Sequence, residues 1–202
     1  TPTPLPPQIV GVVVCAQWGD AGWCRGEETL ELTASDPQGF DVTISGDLNG
    51  VPFTCGNSCD VPLPEGTGTA NYTVTSTSGR TASGISTWKR DVTPPDVVVS
   101  LPPVDGRNAW YVSTMDLSAT ATDAISGLLI LEGSIDDGTT WTSFPIHFTD
   151  GNHQSLIHAR DVAGNEVTVS RWIRVDTVSP FVQITSHANG DVVQGDVRFS
   201  GS

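Results

Sequence analysis

Four cysteines, Cys15, Cys24, Cys55 and Cys59, are the first residues in this sequence with chemistry of their own. They permit three pairings. They do not form the two Cys-x-x-Cys knuckles that a structural zinc site favours. Joined locally, Cys15 to Cys24 and Cys55 to Cys59, they close two short loops, each constraining the unfolded chain by about 2–3 kcal/mol. Disulfides go with an oxidising compartment.

The second set is acidic. Asp91 and Asp96 bracket one junction of the chain, Asp123 follows an alternating stretch, and Asp161 opens a Gly-containing turn. Calcium takes roughly six to eight oxygen ligands, several of them carboxylates. Asp91, Asp96, Asp123 and Asp161 are therefore the candidate calcium ligands, and calcium is the one cofactor the sequence offers. The competing reading is structural: no contiguous Asp-x-Asp-x-Asp loop is present, and aspartate is a common turn cap.

The third set is aromatic. Trp18 lies between Cys15 and Cys24, and Trp141 follows a turn. An exposed indole can stack on a sugar ring, so these two are the candidate ligand-binding residues, for a surface glycan. Trp23 and Trp110 correspond within a repeat, as do Trp88 and Trp172, and these four read as core or junction packing. His147, His153 and His158 read as solvated or cross-strand side chains rather than metal ligands. Catalysis finds no support. There is no Gly-x-Ser-x-Gly elbow. Glu27 and Glu28 are adjacent, so on a strand they point to opposite faces. The expectation is that the chain is not an enzyme.

The elements that must position these residues alternate with period two. Leu30, Leu32 and Ala34 face one way while Glu31, Thr33 and Ser35 face the other. Met115, Leu117, Ala119 and Ala121 alternate with Asp116, Ser118, Thr120 and Thr122. Turn clusters such as Asp36-Pro-Gln-Gly39 and Asp150-Gly-Asn152 separate the runs. About seven short strands per unit predict an antiparallel β-sandwich. The units repeat about every 85 residues: Asp91-Val-Thr-Pro-Pro95 recurs as Asp176-Thr-Val-Ser-Pro180. Gly19, Trp23, Leu30, Thr33, Ala34 and Asp36 recur as Gly106, Trp110, Leu117, Thr120, Ala121 and Asp123.

The expected organisation is a Pro-rich linker over 1–7, a cysteine-bearing unit over 8–90 and a second unit over 91–176. Residues 177–202 read as the opening strands of a third unit, or as a docking segment. In the docking case Phe181, Val182, Ile184, Val197 and Phe199 would add strands to a neighbour's sheet. Of 202 residues 23 are acidic and nine basic, a formal net charge of −14. That balance excludes a nucleic-acid binder, which needs Lys and Arg on phosphate. The longest apolar run, Ile9 to Ala16, is too short to span a bilayer.

Several motifs of the second unit resemble the Ig-like repeats of large secreted and surface proteins of bacteria. They are Asp91-x-x-Pro-Pro95, Gly106-x-x-x-Trp110-Tyr111, Thr120-Ala-Thr-Asp123 with Ser126-Gly127, and Ala159-Arg-Asp-Val-Ala-Gly-Asn165. The first unit departs from the pattern, with Ser76-Thr-Ser-Gly79 in place of Asp-Val-Ala-Gly. Ser134-Ile-Asp136-Asp-Gly138-Thr-Thr-Trp141 also fits the Asp-box of sialidase-type propeller hairpins. One copy cannot build a propeller, so a self-bonded hairpin is expected. The resemblance implies tandem immunoglobulin-like sandwiches, an extracellular or cell-surface location and a non-catalytic role. The expected function is a structural repeat of a bacterial stalk, sheath or filament. Its partners would be neighbouring copies or adjacent repeats of a longer chain. The second reading is an adhesive or carbohydrate-binding module.

Overall fold

The computed structural model describes residues 5–183, together with positions 190, 192, 194 and 195. Two sandwiches follow one another. The first is built from β1 (Gln8–Cys15), β2 (Glu28–Ser35), β3 (Val42–Leu48), β4 (Val51–Cys55), β5 (Ser58–Pro62), β6 (Gly66–Ser76) and β7 (Thr81–Arg90). The second is built from β8 (Asp96–Ser100), β9 (Met115–Thr122), β10 (Leu128–Ser134), β11 (Ile146–Phe148), β12 (Gly151–Asp161) and β13 (Glu166–Val175). The fold is all-β, a tandem of immunoglobulin-like antiparallel β-sandwiches. Among the described residues the one helical element is a single 3-10 turn, Asp20–Gly22. No helix there is long and apolar enough to cross a membrane.

In unit one a sheet ordered β1-β2-β5 faces a sheet ordered β4-β3-β6-β7. In unit two β11-β9-β8 faces β10-β12-β13. The alternation written in the sequence sets the packing. Leu30, Leu32 and Ala34 point inward from β2 to meet Ile44, Val74 and Trp88. Leu117 and Ala119 point inward from β9 to meet Phe148, Ile157 and Ile173. Each large apolar side chain fully buried this way contributes roughly 1.5–3 kcal/mol. The cores lie inside the units, and the loops at the facing ends form the junction.

The disulfides join Cys15 to Cys24 and Cys55 to Cys59. The first closes the loop carrying the 3-10 turn. The second links β4 to β5, which lie in opposite sheets of unit one.

The equivalence of Trp88 and Trp172 requires correction. Trp88 is buried in the core of unit one, its Nε1–H donating to the Pro64 carbonyl at 3.0 Å. Trp172 is 65% exposed on β13. The residue that matches Trp88 is Ile173, which is buried. A shift of one residue along a strand moves a side chain to the opposite face.

Candidate functional site

The junction between the units is polar and held by five bonds: three run directly from one unit to the other, and two tie Asp91, at the boundary after β7, to the loops of unit two. Asp20 N–H donates to the Ala163 carbonyl at 2.9 Å. Arg25 Nε donates to Asn165 Oδ1 at 3.1 Å, and Asn165 Nδ2 donates to the Asp91 carbonyl at 3.1 Å. Ser126 N–H donates to Asp91 Oδ2 at 3.0 Å. Arg160 pairs with the Asp20 carboxylate. Tryptophans, read as core or junction packing, supply none of these bonds. Trp23 is instead buried at the end of unit one, with Lys89 Nζ 6.0 Å from its ring centroid.

Local chemistry explains the shapes that meet. The Cys15–Cys24 disulfide ties down the Asp20 turn from the first unit. Gly19 permits close approach, since a Cβ there would lie 2.3 Å from the Ala163 carbonyl oxygen. From the second unit comes the turn Asp161-Val-Ala-Gly-Asn165. Asp161 Oδ1 accepts the Gly164 and Asn165 amides at 2.6 and 2.8 Å, and Oδ2 accepts Asn165 Nδ2 at 2.8 Å. Gly164 takes φ +95°, a conformation that costs other residues strain. Asn165 thus binds Asp161, Arg25 and Asp91 at once.

Three of the four predicted calcium ligands converge here. One carboxylate oxygen each from Asp91, Asp123 and Asp161 lies within 4.8 Å of the others. Asp91 and Asp161 are fully buried. Asp123 Oδ1 is held by the Ile125, Ser126 and Gly127 amides at 2.8–3.1 Å. None of the ion pairs among the described residues involves these three. Such a set of hard oxygen donors suits calcium. The fourth, Asp96, is exposed at the start of β8 and outside the cluster. Five residues from Asp91 in sequence, it has already turned onto the strand.

The other predicted residues are dispersed. Trp18 is 62% exposed on unit one, and Trp141 is 38% exposed on unit two, its ring centroid 5.4 Å from that of His158. His147 Nδ1 lies 2.8 Å from Asp116, His153 Nε2 lies 2.9 Å from the Thr149 carbonyl, and His158 sits between Glu132 and Glu166. The Asp-box hairpin bonds to itself. Asp136 accepts the Ser134 hydroxyl at 2.6 Å and both the amide and the hydroxyl of Thr140. The hydroxyls lead in holding the Asp136 carboxyl down at about 2. Phe181 and Val182 are exposed and outside any strand, whereas Ile184, Val197 and Phe199 lie outside the described residues.

Sequence reading missed Gly19, Asp20, Arg25, Ser126, Arg160 and Asn165 as junction residues. The signal was the Asp-Val-Ala-Gly-Asn turn, present in one unit and replaced in the other. It also missed a shallow depression of about 470 Å³ lined by Trp110, Trp172, Asn152 and Arg174.

The fold defines a class, tandem β-sandwich modules. The chain is similar to fibronectin(III)-like modules of Clostridium thermocellum CbhA, at 14% sequence identity and a TM-score of 0.35, covering 82% of this chain and 94% of that one. It is also similar to a structure described for host cell surface retention of a 1.5-MDa bacterial ice-binding adhesin. There the identity is 17% and the TM-score 0.34, covering 91% of this chain and 71% of that one. No protein-family model matches the chain, and no curated protein does.

Proposed function

We propose that this chain is a non-catalytic structural repeat module of an extracellular bacterial protein, one that holds successive sandwiches at a fixed angle. The observation that carries this reading is the junction: five polar bonds, with the Asp91 carboxylate and Asn165 buried between the units. A flexible linker needs none of these. The two disulfides support an oxidising location. Within the same reading, calcium at Asp91, Asp123 and Asp161 would offset three like charges and stiffen the joint.

The test is rigidity. Residual dipolar couplings should fit one alignment tensor across both units. In Gly19→Ala, whose added methyl meets the Ala163 carbonyl, the units should need separate tensors while each stays folded. Separate tensors in the unaltered chain would defeat the proposal.

An adhesive or glycan-binding reading is favoured by one observation. Trp172, 65% exposed, shares its depression with Trp110, Asn152 and Arg174. Two indoles beside an amide and a guanidinium match the needs of a sugar ring and its hydroxyls. Binding to a glycan array that is lost in Trp172→Ala would support it.

A further inference from the structure

The end of unit two that points away from unit one repeats the geometry of the docked end, bond for bond. In unit one Cys24 N–H donates to the Lys89 carbonyl, and Asp91 N–H donates to the Cys24 carbonyl. In unit two Tyr111 N–H donates to the Arg174 carbonyl, and Asp176 N–H donates to the Tyr111 carbonyl. Asp91 Oδ1 accepts the Thr93 amide at 3.0 Å, and Asp176 Oδ1 accepts the Val178 amide at 3.1 Å. Glu65 holds the Val92 amide and the Thr93 hydroxyl, while Asp150 holds the Thr177 amide and hydroxyl.

The loop that receives the neighbour is also repeated. Gly19 N–H donates to the Trp23 carbonyl as Gly106 N–H donates to the Trp110 carbonyl. Ala21 and Gly22 take φ of 50° and 76°, and Asn108 and Ala109 take 54° and 61°. A left-handed alanine costs roughly 1–2 kcal/mol. Unit two keeps that turn although it lacks the glycine that would relieve it.

Burial and charge differ between the two ends. Asp91 is fully buried by its neighbour, whereas Asp176 is exposed. Asp20, which pairs with Arg160, is matched by Arg107. Arg107 is exposed, and no ion pair among the described residues involves it. Val112 stands in the place of Arg25 and is 53% exposed.

We infer that the loop Gly106 to Trp110 and Asp176 form a second docking face. It is built for a sandwich domain of the same type that carries an acidic residue, at the strand end before its turn, where unit two carries Arg160. The key is the sign of one charge. A repeat with arginine there docks on unit one and is repelled by unit two, so the order of repeats is written into the junctions. This inference rests on the rigid-junction reading above.

The test uses the full chain with one unit duplicated at the matching aspartates: residues 1–176, labelled with 15N, ligated to an unlabelled second copy of 92–202. The second copy carries either Arg160 or Arg160→Asp. Amide hydrogen exchange is then read at two labelled positions. The Asp20 amide reports the existing junction and should be slow in both forms; fast exchange there would overturn the rigid-junction reading itself. The Arg107 amide reports the new junction. It should slow by roughly tenfold or more with Arg160→Asp and stay fast with Arg160. Fast exchange at Arg107 in both forms, or equal slowing in both, with Asp20 still protected, would overturn the inference alone.

Discussion

Asn165 donates from Nδ2 to the backbone carbonyl of Asp91 at 3.1 Å, a buried bond from the second sandwich to the residue where the chain leaves β7 of the first. The same side chain accepts from Arg25 Nε, and the same Nδ2 donates to Asp161 Oδ2. One amide therefore couples the turn that carries it to both strands of chain that receive it. An amide is suited to this because it donates and accepts at once.

Replacing Asn165 by Ala should leave buried groups without partners. The expected loss is about 1–3 kcal/mol. Because the bonds cross the junction, the Asp20 amide should also exchange faster with solvent. Denaturant unfolding and hydrogen exchange on the same variant would check both. A loss of stability with no change at Asp20 would place the effect inside unit two only.

Glu28 and Asp136 should give opposite pH dependences. Glu28 is buried at the start of β2, and burial raises its pKa above 4.5, against the pull of Arg90. The fold therefore favours the protonated form. That contribution is full below about 4.5 and is lost as pH rises through the higher folded value. Glu28→Gln should raise the melting temperature at pH 7 and change it little below pH 4. Asp136 is the reverse: its folded pKa of about 2 lies below 3.8. Its contribution is present above 3.8 and is lost as pH falls through about 2. Asp136→Ala should lower the melting temperature at pH 7, with the difference from the unaltered chain closing near pH 2.

The two disulfides should separate by what else they hold. Each closes a short loop and should be worth about 2–3 kcal/mol through the unfolded chain. Cys15–Cys24 also anchors the turn that receives unit two. Replacing both of its cysteines by Ala should loosen the junction as well as lower stability, read again at the Asp20 amide. Replacing Cys55 and Cys59 should lower stability alone.

What was legible in the sequence was local. Leu30, Leu32 and Ala34 alternate, so they pack inward; Ser134 to Trp141 contains its own turn and both its bonding partners. What was not legible needed the third dimension. Asp123 and Asp161 belong to different strand ends and meet because both loops close at the same pole. Asp96, much nearer to Asp91 in sequence, is carried away by β8. Trp172 resembled Trp88 only when the repeats were aligned one residue out of step. In a strand that error exchanges core for solvent. Arg25 and Arg160 gave no pattern because each has a partner in the other unit.

The acidic cluster makes the last prediction. Asp91, Asp123 and Asp161 bring three carboxylates within 4.8 Å, two of them buried. If calcium binds there, it stabilises the folded chain by mass action, about 2.7 kcal/mol at a hundredfold excess over its dissociation constant. The melting temperature should therefore rise with added calcium and fall with a chelator. Asp123→Asn should abolish that response without unfolding the loop. Its retained oxygen can still accept the Ile125, Ser126 and Gly127 amides, so only the charge is lost. Asp96→Asn, outside the cluster, should leave the response intact. Identical melting temperatures with calcium and with chelator would mean that the backbone amides and the Asn165 side chain hold these carboxylates without a cation.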